Sequence, residues 1–173
     1  GAESMSMVPM SGNKPSFNPA VFAKDENVGI AYGMGLTAEK VAAQWKVSRE
    51  AQDGMALASQ AKAAAAQANG RLAVEITPVT IPQRKGPALV VDRDEHPRST
   101  TTEALAKLKP LFANGSVTAG NASGVNDGAA ALILASADAA RSHGLTPIAR
   151  ILGGATAGVP PRIMGIGPAP ASQ

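Results

Sequence analysis

The residues best suited by type and spacing to meet a ligand form the run Thr118-Ala119-Gly120-Asn121-Ala122-Ser123-Gly124, inside the stretch SVTAGNASGVNDGAAALILAS (116–136). With almost no bulky side chains, this backbone can turn sharply and lie close to another surface or a ligand. The same spacing also serves a tight loop with no ligand. Ser123 is not a hydrolase nucleophile elbow, because two residues separate it from the preceding glycine and no acid–histidine pair accompanies it. Gly120, Gly124 and Gly128 repeat at spacing four, but the polar residues between them rule out a membrane dimerisation face. A phosphate-binding G-K-[ST] loop is absent, and Gly165-Ile166-Gly167-Pro168 is too short for a dinucleotide fingerprint. The sequence has no cysteine and two histidines, which excludes disulfides, thiolate metal sites and a cysteine nucleophile within these residues and argues against zinc; no metal site is expected. His96, in an acidic turn, and His143, at a helix end, read as surface residues.

The flanking elements have to position the loop. Ala129–Ala135, with Leu132, Ile133 and Leu134, is an unbroken apolar run, too short for a membrane and suited to a strand buried on both faces. Ser136 then caps a helix that stops at Gly144. A small-residue loop feeding a buried strand and then a helix is how an α/β sheet offers backbone groups to a ligand at a strand end. Upstream, Thr37 is the expected N-cap of a helix through about Lys46, with Val41 and Trp45 on its buried side. Ser48 opens a second helix over 49–68, with Ala51, Met55, Ala58 and Lys62 on one stripe and Asn69-Gly70 as its stop. Leu72, Val74 and Ile76 alternate as a strand before Pro78, and residues 88–92 form another. Thr100 and Glu103 have the spacing of a capping box for a helix through Lys109 with Leu105 and Leu108 inward, closed by Pro110. Arg98, just ahead of it, reads as a solvated surface arginine or as a phosphate contact at a helix start. Residues 147–152 are a further expected strand, and Ser172 an N-cap at the end of the sequence. Residues 13–36 are punctuated by Pro, Asn and Gly, with Phe17, Val21 and Phe22 as anchors. The opening GAESMSMVPMSG lacks an initiator methionine and reads as an internal start.

The 173 residues suffice for one ordinary domain, yet three Phe, one Tyr and one Trp are all its aromatic residues, so its packing is expected to be lean. The net charge of +3 is carried by scattered basic residues, only Arg84 and Lys85 being adjacent, which argues against nucleic acid and favours a small phosphate-bearing molecule. No apolar run approaches the roughly 20 residues of a membrane helix, and no signal peptide opens the sequence, so the expected location is cytoplasmic.

Six blocks in order, GAESMS (1–6), YGMGLTAEKVA (32–42), VSREAQD (47–53), TTEALAKLKP (101–110), VTAGNASGVNDGAAA (117–131) and IMGIGPAPAS (163–172), resemble thiolases. TAGNASGVNDGAAA is specific to that family; the helix blocks are weaker singly. The resemblance implies an α/β, layered αβαβα architecture, present here as an incomplete piece with an α+β loop domain. Residues 1–9 would end the N-terminal core, 10–116 form the loop domain over the active site, 117–143 return a strand and helix to the core, and 144–173 begin the C-terminal core. Thiolases use one cysteine to take the acyl group and a second cysteine with a histidine to move protons. Those blocks lie outside these residues, so no catalytic residue is assigned and the chain by itself is expected to be inert. It would keep the coenzyme A side of the site. By resemblance, Ser123 and the backbone near Ala119 approach the pantetheine arm, Met34 and Met164 line the acyl pocket, Phe112 and Val125 pack along the tunnel, and Arg98 holds the nucleotide end. Coenzyme A and acyl-CoA are the implied partners, CoA as substrate rather than cofactor, with the family's habit of homodimers and homotetramers.

Departures from the pattern refine this. Gly33 precedes Met34 where biosynthetic acetoacetyl-CoA thiolases carry histidine, so the sequence is more similar to degradative 3-ketoacyl-CoA thiolases of fatty-acid breakdown. Gly54-Met55 replaces the usual Ala-Phe; glycine there costs on the order of 1 kcal/mol against alanine. The segment 98–105 is one residue short, with Ala104 in place of a serine near the adenine. Two readings of another class stand beside this one: a noncatalytic CoA- or acyl-carrier-binding module, and a remnant that does not fold alone because a central strand lacks its sheet neighbours.

Overall fold

Alanine, glutamine and lysine dominate residues 34–68, and good helix formers with one weak break at Lys46-Val47 give two consecutive helices. The computed structural model, which describes residues 1–8 and 14–173, contains strand β1 (Ala2–Glu3) and helices α1 (Asp25–Val28), α2 (Met34–Trp45) and α3 (Arg49–Ala68). Strands β2 (Val79–Ile81) and β3 (Leu89–Val91), helix α4 (Thr102–Ala106), strand β4 (Gly128–Ala129) and helices α5 (Ala137–Ser142) and α6 (Pro168–Ala171) follow. The chain divides into two compact units, residues 33–124 and residues 1–32 with 125–173. A boundary at residues 9 and 10 falls outside the described residues. Among the described residues no helix is long and apolar enough to cross a membrane.

In the 33–124 unit, α2 starts a turn earlier than expected, at Gly33, and Thr37 is not its cap. Thr37 is instead buried within the helix, where its hydroxyl donates back to the Gly33 carbonyl at 3.3 Å, the usual solution for a threonine inside a helix. Lys46, at φ 54°, terminates it. Trp45 is exposed rather than inward, while Val41 is half-buried. α3 has the expected bounds: the Ser48 hydroxyl accepts from the Ala51 amide at 3.2 Å, and Gly70 at φ 79° ends the turn. Its buried face differs. Ala51, Met55, Ala58 and Lys62 face solvent, and Gln52, Asp53, Ala56, Leu57 and Gln60 face in. An alanine-rich helix has no strong apolar stripe, so the polar partners of Gln52 and Asp53 choose its orientation.

Residues 72–76 are not a strand, because Leu72 and Glu75 donate to Ala66 and Leu72 carbonyls and keep the chain turning. The hairpin begins after Pro78, pairing Val79 with Val91 and Ile81 with Leu89 in antiparallel register. The second expected strand is present as Leu89–Val91. α4 is capped by Thr101, whose hydroxyl accepts from the Ala104 amide at 3.2 Å, one residue later than the Thr100–Glu103 spacing suggests, and it stops at Ala106 rather than Lys109. Its own amide, and then the Thr101 hydroxyl, hold the Glu103 carboxyl below the usual glutamate range. Leu105 is buried as expected, and Leu108 is partly exposed.

In the other unit, β1 and β4 pair antiparallel, Ala2 opposite Ala129, and the ladder ends with Gly1 and Ala130 exchanging bonds of 2.8 Å. The doubly buried strand expected over 129–135 is therefore not formed. Leu132, Ile133 and Leu134 are 77–85% exposed, and 147–152 is likewise no strand, with Ile148 96% exposed. A strand exists only through its neighbours, and β1 offers two residues of pairing. The helix after Ser136 does form; the Ser136 hydroxyl accepts from the Ala139 amide at 3.1 Å and Gly144 takes φ 63°. Both histidines are exposed. Ser172 ends a helical turn rather than starting one, donating to the Pro168 carbonyl at 2.7 Å. Phe17 and Phe22 meet edge to face at 6.0 Å without being buried. Arg162 donates to the Asp25 carbonyl at 2.6 Å, and a Cβ at Gly29 would sit 2.7 Å from that of Arg162, so 25–31 packs directly on 161–166.

Asp127 anchors the start of this unit by accepting from the Ser6 hydroxyl at 2.6 Å and the Ser6 amide at 2.8 Å. Those bonds, the hydroxyl first, hold its carboxyl below the usual aspartate range. A depressed carboxyl contributes stability above its unfolded-state value and loses it as pH falls through the folded one. Carbon-detected NMR titration should therefore place the Asp127 midpoint below ordinary aspartate, and Ser6→Ala should raise it; equal midpoints in the two proteins would refute the contact.

Candidate functional site

Small residues at 118–124 leave the loop without a core of its own, so its shape comes from side chains beneath it. Thr118 is fully buried, and its hydroxyl accepts from the Gly120 amide at 3.2 Å while its carbonyl accepts from the Ala122 amide at 3.0 Å. The Asn121 side chain crosses the turn: Oδ1 accepts from the Thr118 amide at 2.7 Å, and Nδ2 donates to the Ser116 carbonyl at 3.0 Å. This is the local tie for which an asparagine is suited in a turn.

Two helices supply the rest. From α2, Glu39 accepts from the Ser116 and Val117 amides, each at 2.8 Å, and from the Ser116 hydroxyl at 3.0 Å. From α3, Gln52 donates to the same hydroxyl at 2.9 Å. Beside it on the inward face, Asp53 is 4% exposed; Oδ1 accepts from Asn121 Nδ2 at 2.9 Å and Oδ2 from Arg49 Nε at 2.7 Å. Arg49 Nη2 also donates to the Leu105 and Leu108 carbonyls at 2.6 and 3.1 Å, closing the open C-terminal end of α4. Ahead of the loop, Asn114 at φ 58° turns the chain so that the Leu111 amide reaches the Val117 carbonyl at 2.8 Å.

Gly120 is required for space. A Cβ there would lie 2.5 Å from methyl carbons of both Leu105 and Leu108. Gly120→Ala should lower stability by about 1–3 kcal/mol, the usual cost of overpacking, read as a fall in thermal midpoint. Leu105→Ala in the same chain should recover less than Gly120→Ala alone costs, since Leu105 is itself a core residue.

With its inner side fully engaged, the loop turns Ala119, Ala122 and Ser123 to solvent. That surface offers backbone groups and one hydroxyl as hydrogen-bonding partners. Of the residues singled out in the sequence, Ala119 and Ser123 share this exposed edge. Phe112 lies against α2 at Gly35, the residue after Met34: its Cε2 stands 2.9 Å from where a Gly35 Cβ would be, and both Phe112 and Met34 are partly exposed. Arg98 is exposed, its amide donating to Gln60 Oε1 at 3.0 Å and its Nε to the His96 carbonyl at 3.4 Å. Val125 and Met164, both exposed, belong to the other unit. Sequence reasoning does not mark Glu39, Arg49, Gln52 or Asp53 as functional, and it includes Asn121 in the 118–124 run without giving it a role of its own. The one available signal is Arg49 and Asp53 four apart on a helix, a spacing that also fits a solvated surface pair.

Residues 1–138 match the family described as thiolase, N-terminal domain. A beta-ketoadipyl-CoA thiolase of Pseudomonas putida is 53% identical across 99% of this chain and 46% of its own length. An acetyl-CoA acetyltransferase of Pseudomonas aeruginosa is 58% identical across 82% of this chain and 37% of its own. Among solved structures, the dimeric peroxisomal thiolase of Saccharomyces cerevisiae superposes with a TM-score of 0.84 at 38% identity, over 98% of this chain and 43% of that one. The chain thus spans about half the length of the curated relatives it matches.

Proposed function

The chain belongs to the thiolase family, with the α/β fold of its structural neighbours present in part, and from that premise we propose that it serves an acyltransferase acting on 3-ketoacyl-CoA. In this reading the whole enzyme cleaves the substrate with free CoA to acetyl-CoA and a shortened acyl-CoA. The 118–124 loop contributes contacts to the pantetheine arm through Ser123 and the backbone at Ala119. Met34, Phe112, Val125 and Met164 line the acyl side, and Arg98 serves the nucleotide end. CoA is a substrate here, and no metal or further cofactor takes part. Assembly as a dimer is supported by the dimeric yeast relative.

The observation that carries the direction of the reaction is the likeness of almost the whole chain to beta-ketoadipyl-CoA thiolases, where likeness to acetyl-CoA acetyltransferases covers less of it. Gly33 before Met34 also supports a degradative role. The acyl group favoured on this basis is a beta-ketoadipyl group; the broader chain lengths of fatty-acid degradation are the second reading, favoured by the same glycine. Thiolysis by the full-length protein, compared on beta-ketoadipyl-CoA, acetoacetyl-CoA and a longer unsubstituted 3-ketoacyl-CoA, tests both. The highest kcat/KM on the first is expected. Highest kcat/KM on the long chain would favour fatty-acid degradation, and on acetoacetyl-CoA it would overturn the degradative reading.

A further inference from the structure

We infer that Asp53 is a positioning residue for coenzyme A, acting through Asn121 on the 118–124 loop and through Arg49 on the end of α4. The inference rests on the proposed role of that loop in holding CoA. Asp53 cannot touch a ligand itself, since it is 4% exposed and both its oxygens are engaged within the protein. Its two bonds instead join the separate supports of the loop. Oδ1 holds the Asn121 amide, whose other bonds at 2.7 and 3.0 Å fix the distance between Thr118 and Ser116. Oδ2 holds the guanidinium that binds the carbonyls of Leu105 and Leu108, the residues whose side chains close over Gly120. One carboxylate therefore sets both the curvature of the loop and its seat against α4. The outward groups at Ala119 and Ser123 inherit their placement from this arrangement.

Asp53→Asn keeps the shape but has one acceptor oxygen, so it can satisfy Asn121 or Arg49, not both. A loop that then spends only part of its time in the binding-competent form weakens apparent affinity by that fraction; a competent fraction of about one tenth raises the apparent dissociation constant about tenfold. Saturating ligand restores the competent form, so KM for CoA should rise about tenfold with kcat within about twofold. A merely structural role would do the opposite, lowering the active fraction and hence kcat with KM unchanged.

The test measures KM and kcat for CoA in the full-length wild-type protein, D53N and N121A, with circular dichroism and thermal midpoints for each. N121A leaves the Arg49–Asp53 pair intact and removes the Asn121 bond to Asp53 together with those to Thr118 and Ser116, so it decides the matter where D53N does not fold. Raised KM with preserved kcat in a folded variant is expected. Wild-type KM in the folded variants, or lowered kcat at unchanged KM, overturns the positioning role while leaving the CoA assignment standing. A wild-type protein whose rate shows no dependence on CoA overturns that assignment itself.

Discussion

Asp53→Ala should lower stability by about 3 kcal/mol, the lower end of the cost of removing one partner from a buried ion pair. The cost comes from the groups left behind. Arg49 loses its carboxylate partner while its guanidinium stays tied to two backbone carbonyls, and Asn121 Nδ2 loses one of two acceptors. The Arg49 side chain is 21% exposed and recovers some hydration, which is why the lower end applies. Denaturant unfolding of the wild type and the variant checks the value. A loss under about 1 kcal/mol would mean that the pair behaves as a solvated surface bridge. The double variant Arg49→Met with Asp53→Ala should lose less than the sum of the single changes, because it leaves no uncompensated charge.

Glu39→Ala should be comparably costly, about 3 kcal/mol, since hydrogen bonds to a charged group contribute about 1.5–3 kcal/mol each and are not additive here. Three donors lose their acceptor at once: the Ser116 amide, the Val117 amide and the Ser116 hydroxyl, beside a Val117 that is itself buried. Gln52 keeps the Ser116 hydroxyl engaged, whereas the two amides depend on the carboxylate. Glu39→Gln separates the contributions. Its single oxygen can still take both amides, so its loss should be about 1 kcal/mol and fall on the hydroxyl. Hydrogen exchange at Ser116 and Val117 reads this directly: fast in Glu39→Ala, near wild type in Glu39→Gln. Equal protection in all three proteins would show that the α2 carboxylate does not hold the loop.

Features written in a few neighbouring residues are legible in the sequence. The α3 bounds come from Ser48 and from Asn69-Gly70, α5 from Ser136 and Gly144, and the second hairpin strand from the apolar run after Gly86-Pro87. These caps and left-handed turns are decided by neighbours in the chain. The small-residue loop and the family blocks are legible for the same reason, being written in contiguous residues.

Features that depend on distant partners are not. The apolar run 129–135 has the composition of a buried strand, but pairing and burial are supplied by other segments, and among the described residues β1 pairs with Gly128 and Ala129 alone. The stripe expected on α3 falls on its solvent side because alanine lies all round that helix. Its inward face is chosen by Ser116 and Asn121, partners of Gln52 and Asp53 that lie 64 and 68 positions away in sequence. The family, the ends of α3 and α5 and the place of the small-residue loop are therefore set by contiguous residues, whereas the start of α2 and both ends of α4 differ from the sequence reading. That Glu39 and Asp53 hold the loop emerges only from the folded chain, because one carboxylate resembles another in a sequence until burial and its donors distinguish it.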